Sequence, residues 1–170
     1  RYARGGPNTA TAFPQDYNRT WEKLPAGKPL GAALLVHGLS DSPYSLHSVG
    51  GLLAQRGYRV LALRLPGHGT VPAALTQAYW EDWAAAVRLA ARHLRTQAPE
   101  GPFLVCGYSA GGALAANYAL DAVEDNLPRP SGLVLFSPAA GVTPLARFVG
   151  LHRLISWVPW LGGGAWLEVD

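Results

Sequence analysis

The 170 residues suffice for one domain with a sizeable single core, and an apolar content of 49% makes the chain globular rather than disordered. Fourteen Lys/Arg against eleven Asp/Glu leave a net charge of +3 without a basic cluster, so nucleic acid is not an expected partner. A single cysteine, Cys106, excludes an intrachain disulfide and two-cysteine metal motifs, and no run of about 18 apolar residues writes a transmembrane helix. No cofactor or metal is expected. The chain starts at Arg1 and contains no Met, which reads as a removed leader or a start inside a longer gene product. A cytoplasmic and an exported location both stay open.

Residues 1–29, rich in Gly, Pro, Asn and Thr, read as an irregular lead-in with short strands at most. From residue 31 the pattern becomes strand, turn, helix, repeated. The apolar run 31–36 (GAALLV) ends at His37-Gly38. Residues 43–56 are expected to be helical, with Ser42 as N-cap, Pro43 at the first position and Gly57 closing the helix. The run 58–63 (YRVLAL) is closed by Pro66-Gly67-His68-Gly69. A long amphipathic helix is expected over 77–96, with Trp80, Trp83, Val87 and Leu94 at helical spacing and both tryptophans as core contacts.

A third strand over 103–106 (FLVC) runs into Gly107-Tyr108-Ser109, and a helix of small apolar residues follows over 110–121. Residues 133–136 (LVLF) make a fourth strand. Apolar strands separated by helices imply a mostly parallel sheet flanked by helices on both faces. Active sites of such sheets lie at the carboxyl ends of the strands, where His37-Gly38, Pro66-Gly67-His68 and Ser109 all fall.

The pattern Gly107-Tyr108-Ser109-Ala110-Gly111 between a strand and a helix carries the chemistry. A serine hydroxyl needs exposure and a neighbouring base to act as a nucleophile. The sharp turn exposes Ser109, and Gly107 and Gly111 let strand and helix approach closely. Ala110 opens the helix, so its backbone N–H lacks an intrahelical partner and is free to meet an oxyanion. The N–H of Leu39, in the loop after the first strand, is the candidate second donor. The expected catalytic set is therefore Ser109 as nucleophile with Leu39 and Ala110 as oxyanion donors.

Four segments together resemble the bacterial carboxylesterase and monoacylglycerol lipase branch of the α/β-hydrolase superfamily. They are LVHGLSDSP at 35–43, RLPGHGT at 64–70, WEDW at 80–83 and GYSAGG at 107–112. The resemblance covers about residues 30–140 and implies an α/β-hydrolase fold and an acyl-enzyme on Ser109. It implies a small-molecule ester with an apolar acyl group as substrate, such as a monoacylglycerol. It also makes His37 a shaper of the oxyanion loop and His68 a loop-packing residue.

The family's chain order is Ser, then Asp or Glu, then His. No strand after Phe136 ends in a matching acid or His. His152 lies in a cap-like stretch, Asp121, Glu124 and Asp125 end the helix after Ser109, and Glu168 and Asp170 close the chain. His47 and His93 read as solvent-facing, and Cys106 as inert core. The expected organisation is thus 1–141 as the amino-terminal part of the hydrolase core and 142–170 as the start of an apolar cap. The fold is then incomplete at the C-terminus, and the remaining C-terminal part, with the acid and His, is a required partner. Trp157-Val158-Pro159-Trp160 in the cap offers either an acyl-chain wall or a surface that meets lipid. Two alternatives stand beside an ester hydrolase of little activity in isolation. One is a serine aminopeptidase of the same fold, for which no acid stands out to bind a free amine; the other is a non-catalytic binding protein that retains the fold.

Overall fold

The computed structural model describes residues 18–139. In chain order these form β1 (Trp21–Lys23), β2 (Gly31–Val36), α1 (His47–Gln55), β3 (Tyr58–Leu63), α2 (Trp80–Gln97), β4 (Phe103–Tyr108), α3 (Ala110–Glu124) and β5 (Gly132–Phe136). One five-stranded sheet has the order β1-β3-β2-β4-β5. Only β1 runs antiparallel; β3, β2, β4 and β5 are parallel neighbours, as the alternation of apolar strands and helices predicts.

Side-chain alternation sorts the central strands onto two cores. Ala32, Leu34 and Val36 of β2 pack with α2 and α3 through Val87, Ala91, Leu94, Leu114 and Tyr118. Ala33 and Leu35 point the other way, with Val60, Ala62 and Cys106, toward Val49 and Leu53 of α1. All six β2 residues are fully buried because helices cover both faces. Cys106 lies in this interior, and burial pushes its thiol up to about 11, which keeps it protonated and inert.

Three local expectations need correction. The helix expected over 43–56 opens as a 3₁₀ turn, Pro43–Leu46, and becomes α-helical at His47. Ser42 has the extended backbone of an N-cap but makes no side-chain cap bond. The helix expected from residue 77 starts at Trp80, after a separate 3₁₀ turn over Pro72–Gln77 and an extended Ala78. Asp82 sets that start by accepting the Tyr79 N–H at 2.9 Å, and the acidic pair Glu81 and Asp82 suits the positive helix end. Trp80 is therefore on the first turn and 40% exposed rather than in the core; Trp83 alone of the two packs against it.

The cap expected over 142–170, with His152, Trp157, Trp160, Glu168 and Asp170, lies outside the described residues. Among the described residues no helix is long and apolar enough to cross a membrane.

Candidate active site

The carboxyl ends of β2, β4 and β5 meet at Ser109. The turn from β4 into α3 places this residue at φ 52°, ψ −118°, a left-handed conformation that non-glycine residues adopt only under structural constraint. The constraint is visible on both sides. The Ser109 N–H donates to the Phe136 carbonyl at 3.0 Å, and the Ser109 carbonyl accepts the N–H groups of Gly112 and Ala139. Gly107 and Gly111 make the turn sterically feasible. A Cβ on Gly111 would lie within 2.5 Å of the His37 carbonyl oxygen and closer still to that of Val36. A Cβ on Gly107 would collide with the Gly111 carbonyl. The first turn of α3 thus rests directly on backbone at the end of β2.

The same contact brings the loop after β2 beside the serine. A Cβ on Gly38 would come 3.3 Å from the Ser109 Cβ and 3.2 Å from the Tyr108 ring. Leu39 follows, 52% exposed at the rim. Among the described residues neither the Leu39 N–H nor the Ala110 N–H donates to another group. Both N–H groups, one in the loop after β2 and one in the first turn of α3, thus have no acceptor among the described residues.

His37 holds the Leu39 donor through its peptide. Its Nδ1–H donates to the Gly38 carbonyl at 2.8 Å, and that carbonyl shares a peptide plane with the Leu39 N–H. Its Nε2 accepts the Leu65 N–H at 3.2 Å, which settles the tautomer. The ring is fully buried, and burial holds its pKa below the ordinary histidine range. Both ring nitrogens of this neutral imidazole are thus engaged by backbone groups.

His68 is equally committed. It is 4% exposed, with Nε2 2.7 Å from the Leu39 carbonyl and Nδ1 3.0 Å from the Pro66 carbonyl. Asp121 pairs with Arg88 and Asn117, while Glu124 and Asp125 are exposed at the end of α3. His47 and His93 are exposed beside Lys23 and Glu22. Among the described residues no His or carboxylate bonds the Ser109 hydroxyl.

Two cavities open beside the site. One of about 430 Å³ is lined mainly by apolar groups: Leu46, Val49, Tyr108 and Phe136, with Asp41 and Ser45. The other, of about 420 Å³, lies among Leu39, Asp41, His68, Thr70 and their neighbours. Asp41 lines both, with Oδ1 accepting the Ser42 N–H at 2.7 Å. Asp41 stands within the LSDSP motif, which by itself gives it no task. Its position between two cavities depends on loops from different strands.

The chain matches known proteins along the region that builds this site. The family described as "Serine aminopeptidase, S33" matches residues 27–165. A thermostable monoacylglycerol lipase from Bacillus sp. (strain H-257) is 30% identical over 118 residues, 69% of this chain and 44% of that protein. A carboxylesterase from Bacillus subtilis (strain 168) is 32% identical over 84 residues, 49% of this chain and 34% of that protein. A solved structure from work on LipS and LipT, two metagenome-derived lipolytic enzymes, superposes with a TM-score of 0.67 at 27% identity. It covers 77% of this chain and 50% of the other. The chain spans less than half the length of the curated relatives it matches. With its parallel sheet, its glycine-flanked Ser109 and a match over residues 27–165, the chain belongs to the serine aminopeptidase S33 family of α/β-hydrolases.

Proposed function

We propose that the protein hydrolyses carboxylic esters with apolar acyl groups through an acyl-enzyme on Ser109. The observation that carries this reading is the strained Ser109 at the tip of the β4–α3 turn, with the loop after β2 packed against it at Gly38; the Leu39 and Ala110 N–H groups, without acceptors among the described residues, are the donors this reading assigns. The names of the relatives, a monoacylglycerol lipase and a carboxylesterase, support the ester class. The apolar lining of the cavity at Leu46, Val49, Tyr108 and Phe136 suits an acyl chain.

In this mechanism Ser109 Oγ attacks the ester carbonyl carbon while a base takes its proton. The carbonyl oxygen becomes an oxyanion between the Leu39 and Ala110 N–H groups, each donor worth roughly 10²–10³ in rate. Collapse expels the alcohol, protonated by the same base, and water then releases the acid by the reverse sequence of proton transfers. His37 and His68 are tied to backbone groups, so the base and its orienting acid are assigned to sequence outside residues 18–139. The isolated chain is expected to turn over esters poorly. A surface that meets lipid, supplied by the cap, belongs to the same proposal.

Fluorophosphonate labelling and p-nitrophenyl butyrate turnover of the full-length protein test the assignment. Ser109→Ala should abolish labelling and lower turnover by at least about 10⁴-fold. Labelling that survives the substitution would overturn it.

A second reading, an aminopeptidase, draws on the family description and on Asp41, a carboxylate lining both cavities and available to an ammonium group. Comparison of p-nitrophenyl butyrate with an amino-acid p-nitroanilide separates the two, since only the second reading expects Asp41→Asn to raise KM for the anilide. A binding protein that merely kept the fold has no need of the left-handed Ser109, a conformation that costs about 1–3 kcal/mol.

A further inference from the structure

The resemblance implies only loop packing for His68, but its contacts lead to the Leu39 peptide beside Ser109. Gly67 and Gly69, both left-handed at φ 78° and 66°, turn the loop after β3 so that His68 points inward between them. There the ring makes edge-to-face contacts with His37, centroids 4.8 Å apart, and with Trp83 at 5.5 Å. Trp83 Nε1–H donates to the Pro66 carbonyl at 2.9 Å and so fixes the loop from the α2 side. The His68 Nε2–Leu39 carbonyl contact, at 2.7 Å, is shorter than the Nδ1–Pro66 contact at 3.0 Å. Both partners are carbonyls, which only accept, and a neutral ring has one proton to give; the shorter contact places that proton on Nε2, so that Nε2–H donates to the Leu39 carbonyl.

We propose that His68 is a positioning residue for the oxyanion site: it holds the Leu39 carbonyl so that the Leu39 N–H stays aimed beside Ser109. The proposal rests on the ester-hydrolase reading above. Two consecutive peptides are involved. His37 holds the carbonyl of the peptide that carries the Leu39 N–H. His68 holds the next carbonyl along, 29 residues away in sequence. With both carbonyls tied, rotation about the Leu39 Cα is blocked on either side. With the second released, the Gly38–Leu39 peptide is held by the His37 bond alone, and movement of the exposed rim at Leu39 can tilt that peptide and its N–H away from the substrate oxygen. Rigid support of this kind decides whether a donor sits where charge develops.

The test uses full-length protein carrying His68→Gln, His68→Asn or His68→Leu. A Gln amide places an N–H where Nε2 lies, an Asn amide where Nδ1 lies, and Leu supplies volume without a donor. The rate of fluorophosphonate labelling at Ser109, kcat and KM for p-nitrophenyl butyrate, and Tm are measured for each. His68→Leu and His68→Asn should lower the labelling rate and kcat by about 10-fold, the size of one lost hydrogen bond, with KM nearly unchanged. His68→Gln should recover most of both. A Gln variant as slow as the Leu variant, or a Leu variant that differs from wild type only in Tm, overturns the proposal. If His68→Leu does not fold, the Gln and Asn pair decides the matter by the same criterion. Failure of the underlying reading is distinguishable, because Ser109→Ala would then label like wild type whatever stands at position 68.

Discussion

β2 and β5 are both short apolar strands that begin with glycine and run parallel to β4, one on each side of it. Their surroundings differ. β2 is paired on both edges and covered on both faces, and every residue in it is buried. β5 is bonded along one edge only, and Leu133, Val134, Leu135 and Phe136 are 38–40% exposed among the described residues. An apolar run therefore reports the environment a strand is suited to, while its burial depends on which elements surround it. The site follows this division. The β2 end supplies a rigid frame through His37 and Gly38, whereas the β5 end contributes the Phe136 carbonyl to the Ser109 turn.

The contrast is most severely tested at the β2 contact with α3. Gly111→Ala would push the first turn of α3 off the Val36 and His37 carbonyls. Loss of folding, or of at least about 4 kcal/mol of stability, is expected in urea denaturation of the chain. A near-neutral result would mean that the elbow does not depend on this close approach.

Matched truncations sharpen the comparison directly. Leu34→Ala, at a fully buried β2 position, should cost about 3 kcal/mol. Leu135→Ala on β5 should cost about 1 kcal/mol in the same chain. Equal costs would show that β5 is covered in solution by something beyond residues 18–139.

The smallest effect concerns the histidine at the end of β2. Burial keeps His37 neutral in the folded chain, facing His68 and within the field of Asp41, while the unfolded imidazole takes a proton near its ordinary value of about 6.5. The unfolded state therefore binds the proton first. The His37 contribution to stability is complete above about pH 6.5 and is lost as pH falls through the lowered folded value. Melting curves from pH 7.5 to 5 should show this decline, and His37→Gln should flatten it.

The amino-acid sequence by itself determined the parallel α/β alternation, the bounds of β2 and β3, and the glycine-flanked serine between strand and helix. These follow from near neighbours: apolar runs of strand length, glycines at close approaches, and a helix that must open with free N–H groups. It also placed Leu39, Ala110, His37 and His68 at the strand ends, because parallel strands put those ends on one edge of the sheet. Tertiary structure decided what each residue meets there. That His68 reaches the Leu39 carbonyl depends on β2 and β3 pairing in register, which sets two loops 29 residues apart against each other. Trp80 and Trp83 share one helical pattern, yet Asp82 starts the helix late enough to leave Trp80 at the rim. Asp41 belongs to two cavities only because loops from different strands meet around it. Periodicity records which face of an element is apolar; the partner that face meets is fixed by the packing of elements distant along the chain.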